Sequence, residues 1–202
     1  PSDNEICSGA SVNYLITSDV PSSFVWNAQM DEALLNGESL LPQTTSSIND
    51  VLDNTSNSIQ TVTYLVSATA LGSGCTNENQ IVNVNVNPVV TMDTPDSETL
   101  CVGENTTNVI FSSSFGGLTY DWTNNNALIG LGLSGNSDIL SFSAVNNTAI
   151  IQTGIITVTP SINGCAGTPV TFQITVNPSS TVDDPGAIAA VSYTHLTLPT
   201  KA

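Results

Sequence analysis

The chain has 202 residues and carries 17 acidic side chains against a single lysine and no arginine, which gives a formal net charge of −16 at pH 7. Nucleic acids and anionic membrane surfaces are therefore poor partners, because affinity for both comes largely from Lys and Arg. Hydrophobic residues make up 40% of the chain, enough for a globular core, and no apolar run approaches the roughly 18 residues of a membrane span.

The sequence predicts β-strands throughout. In chain order, we predict them at residues 12–17, 23–27, 61–69, 81–86, 108–112, 118–123, 139–145, 151–159 and 171–176. These segments are rich in β-branched and aromatic residues, and clusters of Gly, Asn and Ser separate them. In the clearest strand, Val82, Val84 and Val86 alternate with asparagines. This period of two is expected of a sheet with one solvent-exposed face.

A set of landmarks occurs twice, about 90 residues apart. Each copy has a Cys-x-Gly segment, an aromatic-x-Trp segment, a Gly-Cys turn and a closing Val-Asn-Pro. The landmark residues are Cys7, Trp26, Cys75 and Pro88 in the first copy, and Cys101, Trp122, Cys165 and Pro178 in the second. Small differences in spacing between the copies fall in loops, which absorb length changes cheaply. The period predicts tandem domains, each with its own core.

Several short strands within about 90 residues indicate a two-sheet sandwich, so the predicted fold class is all-β with tandem two-sheet sandwich domains. We predict a first repeat at residues 1–88, a second at 89–178 and the first strand of a truncated third repeat at 179–190. Only six residues precede Cys7, so we expect the first repeat to be truncated at its N-terminus.

The last twelve residues break the pattern. A third repeat would place a cysteine near position 191, but the chain instead has VSYTHLTLPT, which matches an in-frame translation of a common transposase sequencing adapter. We interpret residues 191–202 as a sequencing artefact, expected to be disordered or extended, and exclude it from fold reasoning. His195 and Lys201 fall within it, so the rest of the chain has no basic side chain.

The four cysteines come two per repeat and allow three pairings. The most economical pairing joins Cys7 to Cys75 and Cys101 to Cys165, each tying the first strand of a unit to the turn before its last strand. Closing such a loop stabilises a domain by roughly 4 kcal/mol in the chain-entropy model. Disulfides indicate an oxidising, exported setting. Zinc binding is the alternative, but the cysteines lack CxxC spacing.

Trp26 and Trp122 follow the first cysteine of their repeats at similar distances and lie on a predicted central strand. Such residues can form a sugar-stacking platform or pack in the core of a sandwich. Their recurrence at the same element favours the core.

The landmarks resemble the PKD-like and immunoglobulin-like repeats of large secreted adhesins and gliding-associated surface proteins of Gram-negative bacteria. Those repeats share the Cys-x-Gly opening, the Tyr-x-Trp strand, the Asn-Gly-Cys turn and the closing Val-Asn-Pro, and the resemblance covers residues 1–190. It implies tandem Ig/PKD-like β-sandwiches in an extracellular or cell-surface protein. It also implies a non-catalytic role as a stalk, spacer or adhesive module.

The acidic residues suggest no enzyme. A Ser, Cys or Thr nucleophile needs a base, and the natural part of the chain offers neither His nor Lys. Two carboxylate pairs, Asp31 with Glu32 and Asp50 with Asp53, occur in the first copy alone, and we interpret them as solvated loop acids. Asp93 and Asp183 recur near the linkers, beside Asp96 and Asp184, and are weak candidates for calcium ligands. No other cofactor is expected.

Two classes of function are left. The chain is a stalk or adhesive segment, with neighbouring repeats as partners and with surface glycans or host or substratum proteins as possible ligands, or it is a carbohydrate-binding accessory module of a secreted enzyme. Exposed aromatic residues repeated at one loop edge would favour the second class. Three Asn-x-Ser/Thr sequons, at Asn54, Asn105 and Asn146, are expected by chance in a chain so rich in Asn and Thr.

Overall fold

The structure is a computed structural model that describes residues 4–29 and 33–180, and these form two β-domains in series. The strands of the first domain are β1 (Asn4–Cys7), β2 (Ala10–Ser11), β3 (Tyr14–Leu15), β4 (Ser22–Ala28), β5 (Leu35–Asn36), β6 (Ser47–Ile48), β7 (Val51–Asn54), β8 (Gln60–Ala70) and β9 (Thr76–Asn87). Those of the second are β10 (Glu98–Cys101), β11 (Thr119–Asn124), β12 (Ser134–Gly135), β13 (Gln152–Ile162), β14 (Cys165–Ala166) and β15 (Val170–Asn177), with a 3₁₀ turn at Ala127–Ile129.

The first domain is built on a four-stranded sheet with the order β1-β9-β8-β4. Strands β9, β8 and β4 are antiparallel, whereas β1 joins the edge of β9 in parallel. A second layer consists of β2-β7-β5 and β3-β6. The core lies between the layers, and its fully buried side chains include Ile48, Leu52, Val62, Tyr64 and Val84.

The second domain repeats this plan in the order β10-β15-β13-β11-β12, with β14 folded back onto β13 as a hairpin. Its first strand, β10, again lies parallel to the last strand, β15. Its core is separate from that of the first domain and includes Trp122, Ile129, Ile156, Phe172 and Ile174. The all-β, two-layer, tandem organisation predicted from the sequence is therefore present.

Two predicted strands of the second domain, 108–112 and 139–145, are irregular segments that touch through single bridges at Val109–Ile139 and Asn105–Ser143. Side chains take the place of backbone partners here. The N–H of Phe111 donates to the carboxylate of Asp138, and the N–H of Ser141 donates to the side chain of Asn108. Polar side chains that bond nearby backbone in this way interrupt a sheet ladder.

The alternation predicted for residues 81–86 is confirmed. Val82, Val84 and Val86 are buried in the core, and the asparagines between them face outward. The outward face is held by cross-strand hydrogen bonds in place of ion pairs, such as Thr61 to Asn85 at 2.7 Å. Within residues 4–29 and 33–180, no helix is long and apolar enough to cross a membrane.

The junction between the repeats as candidate functional site

The two ends of each domain are set by the parallel pairing of its first and last strands. Cys7 ends β1 and lies opposite Asn87, the last residue of β9. Cys75 lies just before β9 begins, 12 strand residues away, which is roughly 40 Å at about 3.3 Å per residue. A disulfide spans Cα atoms no more than about 7 Å apart, so Cys7 and Cys75 cannot pair.

The disulfide in the structure joins the two repeats. Cys7 of the first repeat is bonded to Cys165 of the second, with Cα atoms 5.4 Å apart. The predicted pairs Cys7–Cys75 and Cys101–Cys165 are therefore wrong, for the same geometric reason in each repeat. Cys75 and Cys101 are exposed thiols.

A polar cluster surrounds the disulfide. Asn163, in the turn before Cys165, has left-handed backbone geometry with a φ of 49°. Its side-chain amide donates to the carboxylate of Glu5 at 2.6 Å and to the side-chain oxygen of Asn87 at 3.0 Å. The amide of Asn87, which is completely buried, also donates to Glu5, at 2.9 Å. Three side chains from both repeats thus satisfy one another next to the bridge.

The linker after β9 packs into the second repeat. Val90 is fully buried, and its carbonyl oxygen accepts a hydrogen bond from the N–H of Thr168 at 2.9 Å. A Cβ on Gly167 would overlap that carbonyl oxygen, so this close approach requires glycine. Met92 is buried in the core of the second repeat. The linker is therefore packed against the second domain and is not a flexible connection.

The linker then follows the loop at residues 112–113. The N–H of Asp93 donates to the carbonyl of Ser112 at 2.9 Å, and the hydroxyl of Ser113 donates to the carbonyl of Thr91 at 2.6 Å. The two repeats are thus joined in two places, by the linker and by the disulfide.

Both repeats match the model of one protein family. The model of the PKD-like domain matches residues 4–90 and again residues 94–180. The chain belongs to the PKD-like domain family. Both matches contain the landmark cysteines and tryptophans, and together they cover the two β-domains described above.

Among solved structures, the chain is similar to Drosophila N-cadherin EC1–4, with 13% identity, a TM-score of 0.30 and coverage of 88% of this chain and 48% of that one. Mouse cadherin-23 EC22–24 is 10% identical, with a TM-score of 0.30 and coverage of 88% of this chain and 63% of that one. The immunoglobulin domains 1–5 of Sidekick-1 are 13% identical, with a TM-score of 0.27 and coverage of 88% of this chain and 39% of that one. The chain spans less than two thirds of these structures, and scores this low carry no functional conclusion. No curated protein matches the chain.

The calcium candidates of the PKD-like repeats are only partly described. The carboxylate of Asp93 accepts a hydrogen bond from the hydroxyl of Ser112 at 2.7 Å. Asp183 and Asp184 lie outside the described residues. In residues 4–29 and 33–180, no three or more His, Cys, Asp or Glu side chains form a group that could hold a metal ion. Calcium binding by Asp93 and Asp183 stays a prediction.

The two PKD-like tryptophans are core residues, as predicted. Trp26 is 3% exposed and Trp122 is 8% exposed. Each indole N–H donates to the backbone carbonyl of a residue outside the strands, that of Thr45 at 3.0 Å and that of Ser137 at 2.9 Å. Neither ring is available as a sugar-stacking platform.

Of the two carboxylate pairs interpreted as solvated loop acids, the structure describes Asp50 and Asp53 of the first PKD-like repeat, and the interpretation is wrong for Asp50. Asp50 accepts hydrogen bonds from the hydroxyl of Tyr64 at 2.8 Å and from the backbone and hydroxyl of Ser39, both at 2.7 Å. Burial raises the pKa of the Tyr64 hydroxyl strongly, and its hydrogen bond to Asp50 raises it further. Asp50 is thus a structural acceptor, Asp53 is exposed, and the pair Asp31 and Glu32 is outside the described residues.

Sequence analysis missed several junction residues: Glu5, Asn87, Val90, Asn163 and Gly167. Two signals pointed to them. Asn87 recurs as Asn177 in the closing Val-Asn-Pro, and the Asn163-Gly164 turn carries the dipeptide typical of tight turns with positive φ. Neither signal indicates that the two elements meet across a domain boundary.

Proposed function

We propose that this chain is a non-catalytic spacer segment of an exported surface protein, which holds successive PKD-like domains in one fixed orientation. The observation that carries the proposal is the disulfide between Cys7 and Cys165, which closes the domain junction covalently. Domains joined by one linker are expected to move relative to each other unless their interface is large. Two separate connections and the polar cluster of Glu5, Asn87 and Asn163 remove most of that freedom.

The linker supports the same function. A flexible linker is rich in exposed Gly and Ser, whereas this one begins at Pro88 and buries Val90 and Met92 against the next domain. An element that only tethers two domains has no need for such packing. A spacer needs it, because the angle between domains then does not depend on thermal motion of the linker.

An exported location is consistent with the bridge, since disulfides persist in oxidising compartments and are rare in the cytosol. A non-catalytic role fits the first repeat, where Asp50 is a hydrogen-bond acceptor for Ser39 and Tyr64 and Asp53 is exposed. The chain's high negative charge keeps such a segment soluble and unattached to nucleic acid.

The alternative, a carbohydrate-binding accessory module, has less support. All ten aromatic residues that the structure describes are buried or half-buried, namely Tyr14, Phe24, Trp26, Tyr64, Phe111, Phe115, Tyr120, Trp122, Phe142 and Phe172. Sugar platforms need exposed rings on which a pyranose can stack. A glycan-binding screen of the chain tests this alternative, and we expect no binding.

The spacer function is tested by ¹⁵N relaxation of the full chain in solution. We expect one rotational correlation time for both repeats of the oxidised protein. The double variant C7S/C165S should give two shorter correlation times, because each domain then tumbles partly on its own. C75S/C101S, which removes the two free thiols and leaves the bridge, is the matched control and should behave as the unmodified chain. Independent tumbling of the two repeats in the oxidised protein would contradict a spacer.

A further inference from the structure

Each repeat has a donor end and an acceptor end, and one donor and one acceptor meet in the structure. The donor end of the first repeat consists of Cys7, at the end of the strand parallel to β9, and the linker that follows β9. The acceptor end of the second repeat consists of the turn at Cys165 and the surface beside it, where Val90 packs on Gly167.

The first repeat has its own acceptor end, and it is open. Cys75 follows the turn that precedes β9, and Cys165, the first residue of β14, follows the corresponding turn of the second repeat. In both turns the residue before the cysteine is a glycine with positive φ, Gly74 at 71° and Gly164 at 81°. The N–H of Ala70 donates to the carbonyl of Cys75, which closes the turn, and the Cys75 thiol is exposed.

A groove of about 640 Å³, lined by both apolar and polar residues, lies beside Cys75. It runs between the loop at residues 16–20 and the start of β9, and its lining includes Ile16, Asp19, Phe24, Cys75, Asn77 and Ile81. In the second repeat, the corresponding loop at residues 112–113 and the segment between β14 and β15, at Gly167 and Thr168, hold linker residues 90–93. The groove is thus the position that a preceding linker would occupy.

The second repeat likewise has its own donor end. Cys101 ends β10 opposite Asn177, in the register that Cys7 has to Asn87. It is an exposed thiol. The closing Asn177-Pro178 is followed by Thr181 and Asp183, which repeat Thr91 and Asp93 of the linker that docks in the structure.

We propose that Cys75 and Cys101 are the two open halves of the same inter-repeat disulfide, and that the groove beside Cys75 receives the exit linker of a preceding PKD-like repeat. The partner is a second copy of the repeat, placed head to tail. Such an interface joins different surfaces on the two partners and therefore continues without closing. The inference requires repeats in series and does not depend on their serving as a spacer.

The two junctions differ in detail. Asn77 stands where the second repeat has Gly167, so a linker docking on the first repeat has to pass the strand at a greater distance than Val90 does. In the exit linker of the second repeat, Ser180 stands where the first has Val90, so the buried apolar side chain is missing. Two copies of this chain should consequently dock more weakly than its own repeats, and both copies carry the same negative charge.

The covalent step needs a small disulfide as oxidant, and oxidised glutathione serves in the experiment. The Cys75 thiolate attacks a sulfur of the oxidant and releases one molecule of glutathione. The Cys101 thiolate of the second copy then attacks the Cys75 sulfur and displaces the other. The two protein thiols lose two electrons and two protons, and the oxidant's disulfide takes them up as two thiols.

The test uses two full-length variants that retain the Cys7–Cys165 bridge. C101S has only the Cys75 thiol and C75S has only the Cys101 thiol. After oxidation in a glutathione buffer, alone and mixed in equal amounts, disulfide-linked dimers are identified by non-reducing intact mass spectrometry on chains of different isotopic mass. Random collision gives half of the dimers in the mixture as mixed dimers. We expect mixed dimers to exceed the like dimers together by about fivefold or more. A random or lower fraction would overturn the proposal.

Substitutions in the groove separate docking from simple thiol reactivity. Asn77 is exposed and lines the groove, whereas its neighbour Glu78 is exposed and does not. In the C101S chain, N77W should reduce mixed dimers to the random fraction, and N77G should increase them by opening the path of the linker. E78W is the control and should leave the fraction unchanged. Equal effects of N77W and E78W would overturn the role of the groove.

Discussion

At the scale of single residues, two of the asparagines in Asn-x-Ser/Thr sequons of this chain, Asn54 and Asn146, are buried. Asn54 and Asn146 are each 5% exposed. The side-chain amide of Asn146 donates to the carbonyls of Ile150 at 2.8 Å and Val176 at 2.9 Å, and its oxygen accepts from the N–H of Thr148 at 2.9 Å. Asn54 makes the same bonds with Ser58, Val86 and Ser56. The sequon pattern at these two positions therefore reflects a buried turn.

We predict that N146A lowers the free energy of unfolding of the second repeat by about 3 kcal/mol. The substitution leaves two carbonyls and one N–H without partners, and a buried polar group without a partner costs roughly 1–3 kcal/mol. The control is N105A, at the exposed sequon, which should change stability by less than about 0.5 kcal/mol. Urea titrations of both variants, followed by tryptophan fluorescence, measure the difference. Similar losses in the two variants would show that Asn146 has no special role.

At the scale of the elements, the decisive feature is that the first strand of each repeat runs parallel to the last. This pairing sends the first cysteine and the exit of the last strand to the same end of the domain. The turn before the last strand is then at the opposite end. In a head-to-tail series, the end of one domain that carries the first cysteine faces the end of the next that carries the second.

The close contact between the linker and Gly167, which lies between β14 and β15, gives a prediction at this scale. G167A should displace the Val90 carbonyl and weaken its hydrogen bond from Thr168, because a Cβ has no room there. Overpacking of this kind costs about 1–3 kcal/mol. We expect the amide of Thr168 to exchange with solvent at least tenfold faster, as measured by hydrogen exchange.

The control for this substitution is G72A. Gly72 has open space around its Cβ position and no positive φ, so alanine is tolerated there. Exchange at Thr168 should be unchanged in G72A. If both variants left that amide equally protected, the linker would not pack against Gly167 and Thr168 as the structure has it.

The sequence predicted the fold well and the junction poorly, for a physical reason. Alternating valines and the recurrence of Trp26 and Trp122 report which side chains are buried, since burial leaves a local periodic trace. The pairing of Cys7 with Cys165 leaves none, because it depends on which strand β1 pairs with and in which direction. Likewise, the irregular segments at 108–112 and 139–145 have strand-like composition, and only their side-chain contacts to backbone show that no ladder forms.

At the scale of the whole molecule, two features add to the stability that the hydrophobic cores provide in a chain almost without cations. Cross-strand Thr and Asn hydrogen bonds replace surface ion pairs, and the disulfide closes a sequence separation of 158 residues. In the chain-entropy model, a loop of that size stabilises the folded state by roughly 5 kcal/mol. This contribution belongs to the pair of domains, because neither repeat contains the bridge alone.

The bridge also decides how the molecule carries tension. When the chain is pulled from its two ends, the load enters at Cys7 and passes through the sulfur atoms directly to Cys165. Residues 8–164, with both tryptophans and most of both cores, are then outside the load path. In the oxidised protein the load is carried from Cys165 along β15, a strand already extended, so little length can be released.

Single-molecule stretching of the C75S/C101S chain, held by handles at the termini, measures this. Without reductant we expect almost no unfolding extension at forces that unfold comparable domains. With reductant, residues 8–164 become extensible and should release roughly 500 Å, at about 3.3 Å per residue. Equal release under both conditions would contradict the load path. With the disulfide intact the chain is therefore nearly inextensible under tension, and reduction of the disulfide allows it to lengthen.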